Sequence, residues 1–408
     1  MTPSRRIPTL SRRGRKLLRW VALALGVACA WPGRPEGWFS TSLVLPALSP
    51  LTALGGATAA RSIGIIALLA LPGLVLAWAV PRFLCSHLCP VGLLQELVSR
   101  LFRRSSRSWR GFPAVGLGLA LATLAGALLG YPLFLWLDPF AIFNGALHAW
   151  RAPLAVGNLL AGLLLPLLLL VELVWPQLWC RRLCPLGATQ DLLRYSRRAL
   201  IPRPPRGAPA TTGARSPARR WFLVACGGAA GAWAARRVQA QPPPLRPPGA
   251  LAEAEFAGVC VRCGNCAQAC PSHIIQPDFA GGLAGLLAPR LTYVSDFCRE
   301  GCTRCHQVCP SGAIQRLALP EKRRAIIGLA QVDLDPCLMA LGRECNACVQ
   351  ACPFEAISVA AGPDGFSSRP LVDPPRCNGC GACEAACPVR PLRAIVVQPA
   401  PRGSLAIP

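Results

Sequence analysis

The stretch CNGCGACEAACP at residues 377–388 sets the local structure of its part of the chain. Its four cysteines follow the spacing Cys-x2-Cys-x2-Cys-x3-Cys, and a proline comes directly after the last of them. Residues 260–271 repeat this spacing without change, while residues 298–310 and 337–353 repeat it with a longer first interval. The cysteines of the four motifs are Cys260, Cys263, Cys266, Cys270, Cys298, Cys302, Cys305, Cys309, Cys337, Cys345, Cys348, Cys352, Cys377, Cys380, Cys383 and Cys387.

Cysteines at these intervals are typical ligands of [4Fe-4S] clusters. Three thiolates at x2 intervals curl the backbone around one cubane, and the fourth lies on the following helical turn, where it reaches a neighbouring cluster. Sixteen thiolates at four per cluster predict four clusters, in a C-terminal α+β polyferredoxin domain built from duplicated 2[4Fe-4S] units. Zinc sites and a disulfide scaffold are the structural alternatives, but neither is typical of a repeated Cys-x3-Cys-Pro ending.

The motifs also suggest how the clusters pair. The first and fourth motifs are compact and the second and third are stretched, which favours a nested arrangement over pairing between neighbours. In the nested arrangement, Cys270 binds the cluster of the fourth motif and Cys387 binds the cluster of the first.

The first half of the chain is apolar and strongly basic. Residues 1–240 hold 28 Lys and Arg against 5 Asp and Glu, whereas residues 241–408 hold 15 against 13. Four apolar stretches approach the length of about 20 residues that a bilayer-crossing helix needs, at 17–31, 63–80, 112–137 and 153–179. Basic residues precede the first stretch and follow the second and fourth. We therefore expect four transmembrane helices in two hairpins, in an inner-membrane, multi-pass protein with a cytoplasmic N-terminus.

The two hairpins are duplicated. The segment CSHLCPVGLLQEL at 85–97 matches CRRLCPLGATQDL at 180–192 at seven positions, 95 residues further along. The repeat places Cys85, Cys89, Cys180 and Cys184 on one face of the helical module. The four thiols could hold one more cluster, act as redox-active thiols, or shape a helix turn, and we favour a redox or metal site. Glu172, in the fourth stretch, is a candidate for quinone or proton handling, with a headgroup-level position as the alternative.

These features divide the chain into five segments. They are a basic N-terminus (1–16), the membrane module (17–199), a Pro/Arg-rich linker (200–220), a short hydrophobic segment (221–240) and the ferredoxin domain (241–408). Arg219 and Arg220, a mild apolar run and an Ala-x-Ala-like end at 238–240 have the order of a twin-arginine export signal. A chance Arg pair is the alternative. The signal predicts a periplasmic ferredoxin domain.

Several functional classes are disfavoured. The arginines cluster around apolar segments, which is typical of topology-setting charge and not of nucleic-acid binding. The sequence CTRCH at 302–306 matches a haem-attachment pattern, but the second motif already requires both cysteines, and the chain has only four histidines. No general acid, nucleophile or nucleotide loop is visible. We therefore expect an electron-carrier subunit, at most a component of a quinol dehydrogenase, and not a site of substrate turnover.

Taken together, the motifs resemble the ferredoxin-type proteins NapH and NapG of periplasmic nitrate reductase systems, and the related MauN and MauM of methylamine utilisation, fused in one chain. Residues 12–200 are similar to NapH, with two Cys-x3-Cys-Pro motifs, and residues 216–398 are similar to NapG, with PPGAL at 247–251 and VRCG at 261–264. Two features depart from this pattern. The cytoplasmic ferredoxin motifs of NapH are absent after Cys184, and the Cys298-x3-Cys302 spacing differs from that of NapG.

The resemblance implies a membrane-bound relay that carries electrons from the quinone pool, with quinol as donor, to a periplasmic reductase or dehydrogenase. A multihaem cytochrome is an implied intermediate partner. An assembly or maturation factor for such an enzyme is the alternative function, and a cytoplasmic ferredoxin domain linked to a dehydrogenase is a third.

Overall fold

A computed structural model describes residues 12–30, 41–62, 68–102, 112–149, 160, 162–200, 217–238, 243–362 and 367–400. Most of segment 1–16 and of linker 200–220 lies outside these ranges, as do residues 239 and 240 of the predicted signal.

The described part of residues 12–238 is helical. Short 3-10 turns cover Thr41–Leu43 and Leu135–Leu137, and π-helical turns cover Leu84–Leu88 and Trp179–Leu183. The α-helices are α1 (Arg12–Ala30), α2 (Val44–Ala47), α3 (Pro50–Ala60), α4 (Leu71–Ala79), α5 (Pro90–Leu101), α6 (Val115–Leu128), α7 (Pro139–Ala149), α8 (Leu164–Val174), α9 (Pro185–Leu200) and α10 (Pro217–Arg237).

The apolar stretches do not form the predicted spans. Helices α4, α6 and α8 have 9, 14 and 11 residues, and α1 carries several basic residues along its 19. Within the described ranges, no helix combines the length and the apolar character that crossing a bilayer requires. The prediction of four transmembrane helices is therefore wrong. So is the location built on it, a multi-pass inner-membrane protein.

Proline explains why the third and fourth apolar stretches are divided. Pro132 and Pro176 lie within them and follow the end of a helix by a few residues, and a proline cannot continue the hydrogen-bond ladder. Gly130 has φ +80° and turns the chain after α6. Residues 63–67, 153–159 and 161 of the second and fourth stretches lie outside the described residues.

Small residues allow the helices of this half to approach closely. A Cβ added to Gly228 of α10 would stand 2.4 Å from Cα of Ala122 in α6. Large apolar side chains such as Val75, Leu170 and Phe222 are more than half exposed on the outer faces of the helices. Helix α10 holds both Arg219 and Arg236–Arg237, and its interpretation as an export signal stays a prediction.

The described part of residues 243–400 combines short helices with antiparallel strands, in agreement with the predicted α+β ferredoxin organisation. Strand β1 (Ile275–Pro277) pairs with β2 (Pro289–Leu291), β3 (Leu329–Val332) with β6 (Ile395–Gln398), and β4 (Ile357–Ala361) with β5 (Ser368–Val372). The helices are α11 (Glu253–Val259), α12 (Asn265–Ala269), α13 (Gly282–Gly285), α14 (Arg304–Gln307), α15 (Leu319–Arg324), α16 (Ala347–Ala351) and α17 (Ala382–Ala386).

The two halves share a hydrophobic core. It contains Cys89 and Cys184 of the helical half together with Val261 and Cys263 of the ferredoxin half. At the edge of this core, Asn144 of α7 donates a 2.5 Å hydrogen bond to Asn265 of α12. Helix α7 therefore contacts the first cysteine motif and joins it to the helical half.

Candidate metal centres

The first group of thiols lines a cavity of about 90 Å³. Cys260, Cys263 and Cys266 come from the first motif, and Cys309 comes from the second. Burial raises the pKa of Cys266 well above its ordinary value, and the nearby thiols of Cys260, Cys263 and Cys309 raise it further because ionised sulfurs repel one another. These four thiols form site A.

A second group lines a smaller cavity of about 20 Å³ and consists of Cys270, Cys298, Cys302 and Cys305. Burial raises the pKa of Cys298 to about 11, Lys322 opposes this shift, and the thiols of Cys302 and Cys270 add to it. These four thiols form site B, which takes its fourth member from the first motif.

The fourth cysteines are therefore exchanged between neighbouring motifs, and the nested pairing expected from the spacing is wrong. The β1–β2 hairpin lies between the first two motifs and turns the chain back, so that α12 and α14 face each other. Asn265 of α12 donates a 3.2 Å hydrogen bond to the carbonyl of Val308, directly before Cys309. Spacing alone does not reveal this return of the chain.

The third and fourth motifs follow the same plan around the β4–β5 hairpin. Burial raises the pKa of Cys380 to about 11, and the thiols of Cys352 and Cys377 raise it further. Cys352 of the third motif therefore lies with the fourth motif's thiols, in site D. Site C groups Cys337, Cys345 and Cys348.

Site C has a candidate for its fourth thiol. Cys387 lies in the same buried cluster as Cys337. By the exchange seen in the other sites, Cys387 is the expected fourth member.

Backbone geometry supports sulfur ligands at these places. Ile314 N–H donates to Cys309 Sγ at 3.4 Å, and Ala356 N–H donates to Cys352 Sγ at 3.3 Å. Such hydrogen bonds stabilise thiolates and tune cluster potentials. Gly264 and Gly381, at φ +77° and +85°, directly precede the one-turn helices of the two compact motifs, at positions where a residue with a Cβ is strained.

The two ferredoxin units are in direct contact. Cys298 N–H of site B donates a 2.9 Å hydrogen bond to the carbonyl of Cys380 in site D, and Tyr293 donates a 2.9 Å bond to the carbonyl of Gly379. Sites A, B and D thus follow one another through shared or touching segments.

Two buried groups lie beside site B, and the sequence predicted no role at this site for either of them. Lys322 is 1% exposed and donates a 3.1 Å hydrogen bond to the carbonyl of Glu300, which places a positive charge next to Cys298. His306 is 2% exposed, and burial, with Arg316 and Lys322, lowers its pKa to about 4. Because Cys302 and Cys305 belong to site B, the geometry gives no support to haem attachment at 302–306.

The fifth group of thiols lies in the helical half. Cys85, Cys89, Cys180 and Cys184 line one cavity of about 320 Å³. Cys85 and Cys180 lie in the two π-helical turns, and Cys89 and Cys184 lie directly before α5 and α9. The predicted repeat therefore brings all four cysteines together, in site E.

Glu172 is 1% exposed and lies in α8. Its Oε1 accepts a short hydrogen bond from Ser99 of α5 and a 2.8 Å bond from the backbone N–H of Gln177. The carboxylate therefore holds the turn that leads to Cys180. Its quinone or proton role stays a prediction.

The cysteines of sites A to E, and Cys226, are all free thiols. In that same part of the chain, no group of three or more His, Cys, Asp or Glu residues is arranged to hold a metal ion. A cubane binds one thiolate on each of four irons, so its ligands stand farther apart than those of a single ion. Free, buried thiols around one cavity, with N–H donors at sulfur, therefore fit an iron–sulfur cluster.

Comparison with known proteins gives matches in both halves. The family described as a 4Fe-4S dicluster domain matches residues 259–313 and 343–390, and the family described as a 4Fe-4S binding domain matches residues 63–108 and 158–204. The first dicluster segment contains the first two motifs, and the second contains the fourth motif and the third motif without Cys337. Each segment of the second family contains one half of site E.

The similar proteins share the ferredoxin-type description. The methylamine utilization ferredoxin-type protein MauM of Methylorubrum extorquens is 34% identical over 190 residues, which cover 42% of this chain and 86% of that protein. MauM of Methylobacillus flagellatus is 39% identical over 150 residues, covering 35% and 63%, so the chain spans less than two thirds of its length. The ferredoxin-type protein NapG of Escherichia coli K12 is 39% identical over 154 residues, covering 35% and 65%. No solved structure matches the chain.

Proposed function

Since the chain belongs to the ferredoxin-type proteins represented by MauM and NapG, we propose that it relays single electrons from a quinol-type donor to a partner reductase or dehydrogenase. The observation that carries the proposal is the exchange of cysteines between sites A and B. Cys266 lies in α12 and Cys270 directly after it, about 6 Å further along the helix axis, and the two cysteines face different sites. Two clusters whose ligands share one helical turn are neighbours, so an electron passes between them without rearrangement of the fold.

The proposed cofactors are four [4Fe-4S] clusters, one in each of sites A to D. When bound, a cluster accepts or gives one electron. The chain supplies four thiolates for each cluster, excludes water from the sulfurs, and directs N–H groups such as that of Ile314 at them. Lys322 supplies a positive charge near site B that favours the reduced, more negative form.

The burial of the thiols favours a role as cluster ligands over thiol–disulfide exchange. The pKa of Cys298, Cys348 and Cys380 is raised to about 11, mainly by burial, so the free thiols are protonated at neutral pH. A protonated, buried thiol is a poor nucleophile, whereas a metal deprotonates its thiol ligands outright. The thiols are therefore suited to hold a metal cluster and poorly suited to exchange disulfides.

The test uses the full chain, purified and reconstituted without oxygen. We expect bound iron and sulfide, a brown colour, and EPR signals of reduced [4Fe-4S] clusters that appear on mixing with a quinol analogue. Cys226→Ser, at an exposed cysteine outside every site, is the matched control. Zinc in place of iron, or cystine formation, would contradict the cluster assignment. Clusters that dithionite reduces but quinol does not would instead favour a maturation role.

A further inference from the structure

The four thiols of site E are presented in the same way by the two copies of the repeat. In each copy, one cysteine lies in a π-helical turn and the next precedes a helix that begins with Pro and has Gly at its third position. Gly92 N–H donates to Cys89 Sγ at 3.4 Å. In the second copy, the Gly187 N–H is directed at Cys184. Each helix start therefore offers an amide to a sulfur.

The two copies also interlock. A Cβ added to Gly187 of the second copy would stand 3.8 Å from Cys85 Sγ of the first. Gln190 Nε2 donates a 3.0 Å hydrogen bond to Cys85 Sγ, across the copies. The equivalent residue, Gln95, contacts Cys180 Sγ at 2.7 Å through Oε1. The site is thus built from both copies, and neither copy alone supplies more than two thiols.

The contacts of the Gln95 amide indicate that the site suits an ionised sulfur at Cys180. Its Nε2 is buried and has no hydrogen-bond partner, while its Oε1 accepts the Cys180 S–H. An amide can be turned end for end without moving any neighbour. If Cys180 were a thiolate, the turned amide would donate Nε2–H to the sulfur and reproduce the Gln190–Cys85 bond. Both amides then serve as donors to ionised sulfur.

Positive charge also lies beside the thiols. Arg82 and Arg19 line the cavity. Burial raises the pKa of the Cys85 and Cys180 thiols, and the two guanidinium groups oppose that shift, Arg82 at Cys85 and Arg19 at Cys180. Arg82 is also paired with Asp191 of the second copy at 2.6 Å. Metal ligation, which replaces the thiol protons, is the state that these donors and charges suit.

We propose that Cys85, Cys89, Cys180 and Cys184 together hold one further iron–sulfur cluster, shared between the two copies of the repeat. The four thiols line one cavity, but in the described residues they are not drawn together around a single point as the four ligands of one zinc ion would be. Both halves of the site fall in segments that match a 4Fe-4S binding family. Two thiols per copy make only half a ligand set, and the packing of the copies completes it.

The position of site E links it to the ferredoxin clusters, an inference that rests on the proposed relay. Pro139, at the start of α7, lines the cavity of site E, and Gly145 and His148 of the same helix line that of site A. Six to nine residues of helix correspond to about 9 to 14 Å. One electron at a time would pass from site E along α7 to site A, with no bond formed or broken.

The experiment measures iron in the full chain. Cys180→Ser, and a variant with all four site E cysteines changed to Ser, should each lose about 4 Fe per chain, about one fifth of the total. The EPR signals of sites A to D should persist, which shows that the variants fold. Cys226→Ser should lose no iron. Unchanged iron in the fourfold variant, or loss of zinc instead, would overturn the proposal.

A second variant tests the amide donors without removing a ligand. Gln190→Glu should keep all iron but lower the midpoint potential of one cluster only, because a carboxylate near Cys85 disfavours the added electron. A uniform loss of iron or an unchanged set of potentials would contradict this. Failure of the proposed relay would give a different result from failure of the site E proposal. All five clusters would be present, but quinol would not reduce them.

Discussion

Sites A and B of the ferredoxin half and site E of the helical half each bring four thiols together, but over very different distances in the sequence. Sites A and B take all their members from residues 260–309, and one hairpin brings the two motifs together. Site E takes members from two segments 95 residues apart and exists only when the two copies pack. Local spacing is therefore enough to predict cysteine sites such as A and B from the sequence, whereas site E depends on the assembled helices.

The largest expected effect is the loss of a whole cluster. It distinguishes exchange of cysteines between neighbouring motifs from the nested arrangement in the ferredoxin half. Cys309→Ser should abolish the cluster of site A, and Cys270→Ser that of site B, each with loss of about 4 Fe. Iron analysis and EPR of the remaining clusters provide the measurement. If Cys270→Ser instead removed the signal of the fourth motif, the exchange described above would be refuted.

A glycine series tests how tightly the ferredoxin loops are packed. Gly381→Ala should destabilise the fold by about 4 kcal/mol, because φ is +85° and the new Cβ would meet the Tyr293 ring at 2.2 Å. Gly312→Ala has the strain of φ +76° but open space, and should cost about 1 kcal/mol. Gly301→Ala has neither and serves as the control. Chemical denaturation followed by cluster absorbance should rank the three in that order, and equal effects would refute the packing argument.

A buried carboxyl should make the helical half depend on pH. Burial raises the pKa of Asp138 to about 6, against the hydrogen bonds from Ser49, Phe140 and Thr52. The folded state therefore binds more protons than the unfolded chain between pH 4 and 6, and stability falls as pH rises through that window. The fall is at most about 3 kcal/mol above pH 6.

The matched variant is Asp138→Asn, which stays neutral and should remove this part of the pH dependence. Thermal unfolding followed by tryptophan fluorescence at pH 4.5 and 7 would measure it. Identical pH profiles for the two proteins would show that Asp138 is not the titrating group.

The smallest effect is expected at the ion pair that crosses the two copies. Arg82 and Asp191 are about two-fifths exposed, so solvent screens their 2.6 Å contact. Asp191→Asn should lower stability by about 0.5 kcal/mol. A loss above about 2 kcal/mol in urea denaturation would show that the pair contributes more to joining the copies than its exposure allows.

The sequence identified the cysteines that the structure brings together, but it did not identify the side chains that contact them. Gln95 and Gln190 were visible as identical positions of the repeat, yet only the packed structure places each against a cysteine of the other copy. Lys322 gave no signal, because a basic helix of the form LPEKRR at 319–324 is ordinarily solvated. The third and fourth predicted spans failed because mean hydropathy does not register the helix ends before Pro132 and Pro176.

The types and spacing of residues along the chain determined which sixteen cysteines belong to the four motifs. They also determined that two segments of the first half are copies, because a repeat is visible in the linear sequence. Folding in three dimensions assigned Cys309 to site A, Cys270 to site B and the four repeat cysteines to one cavity. Those assignments depend on how hairpins and helices return the chain. Contacts between distant segments arise from packing, which no local spacing encodes.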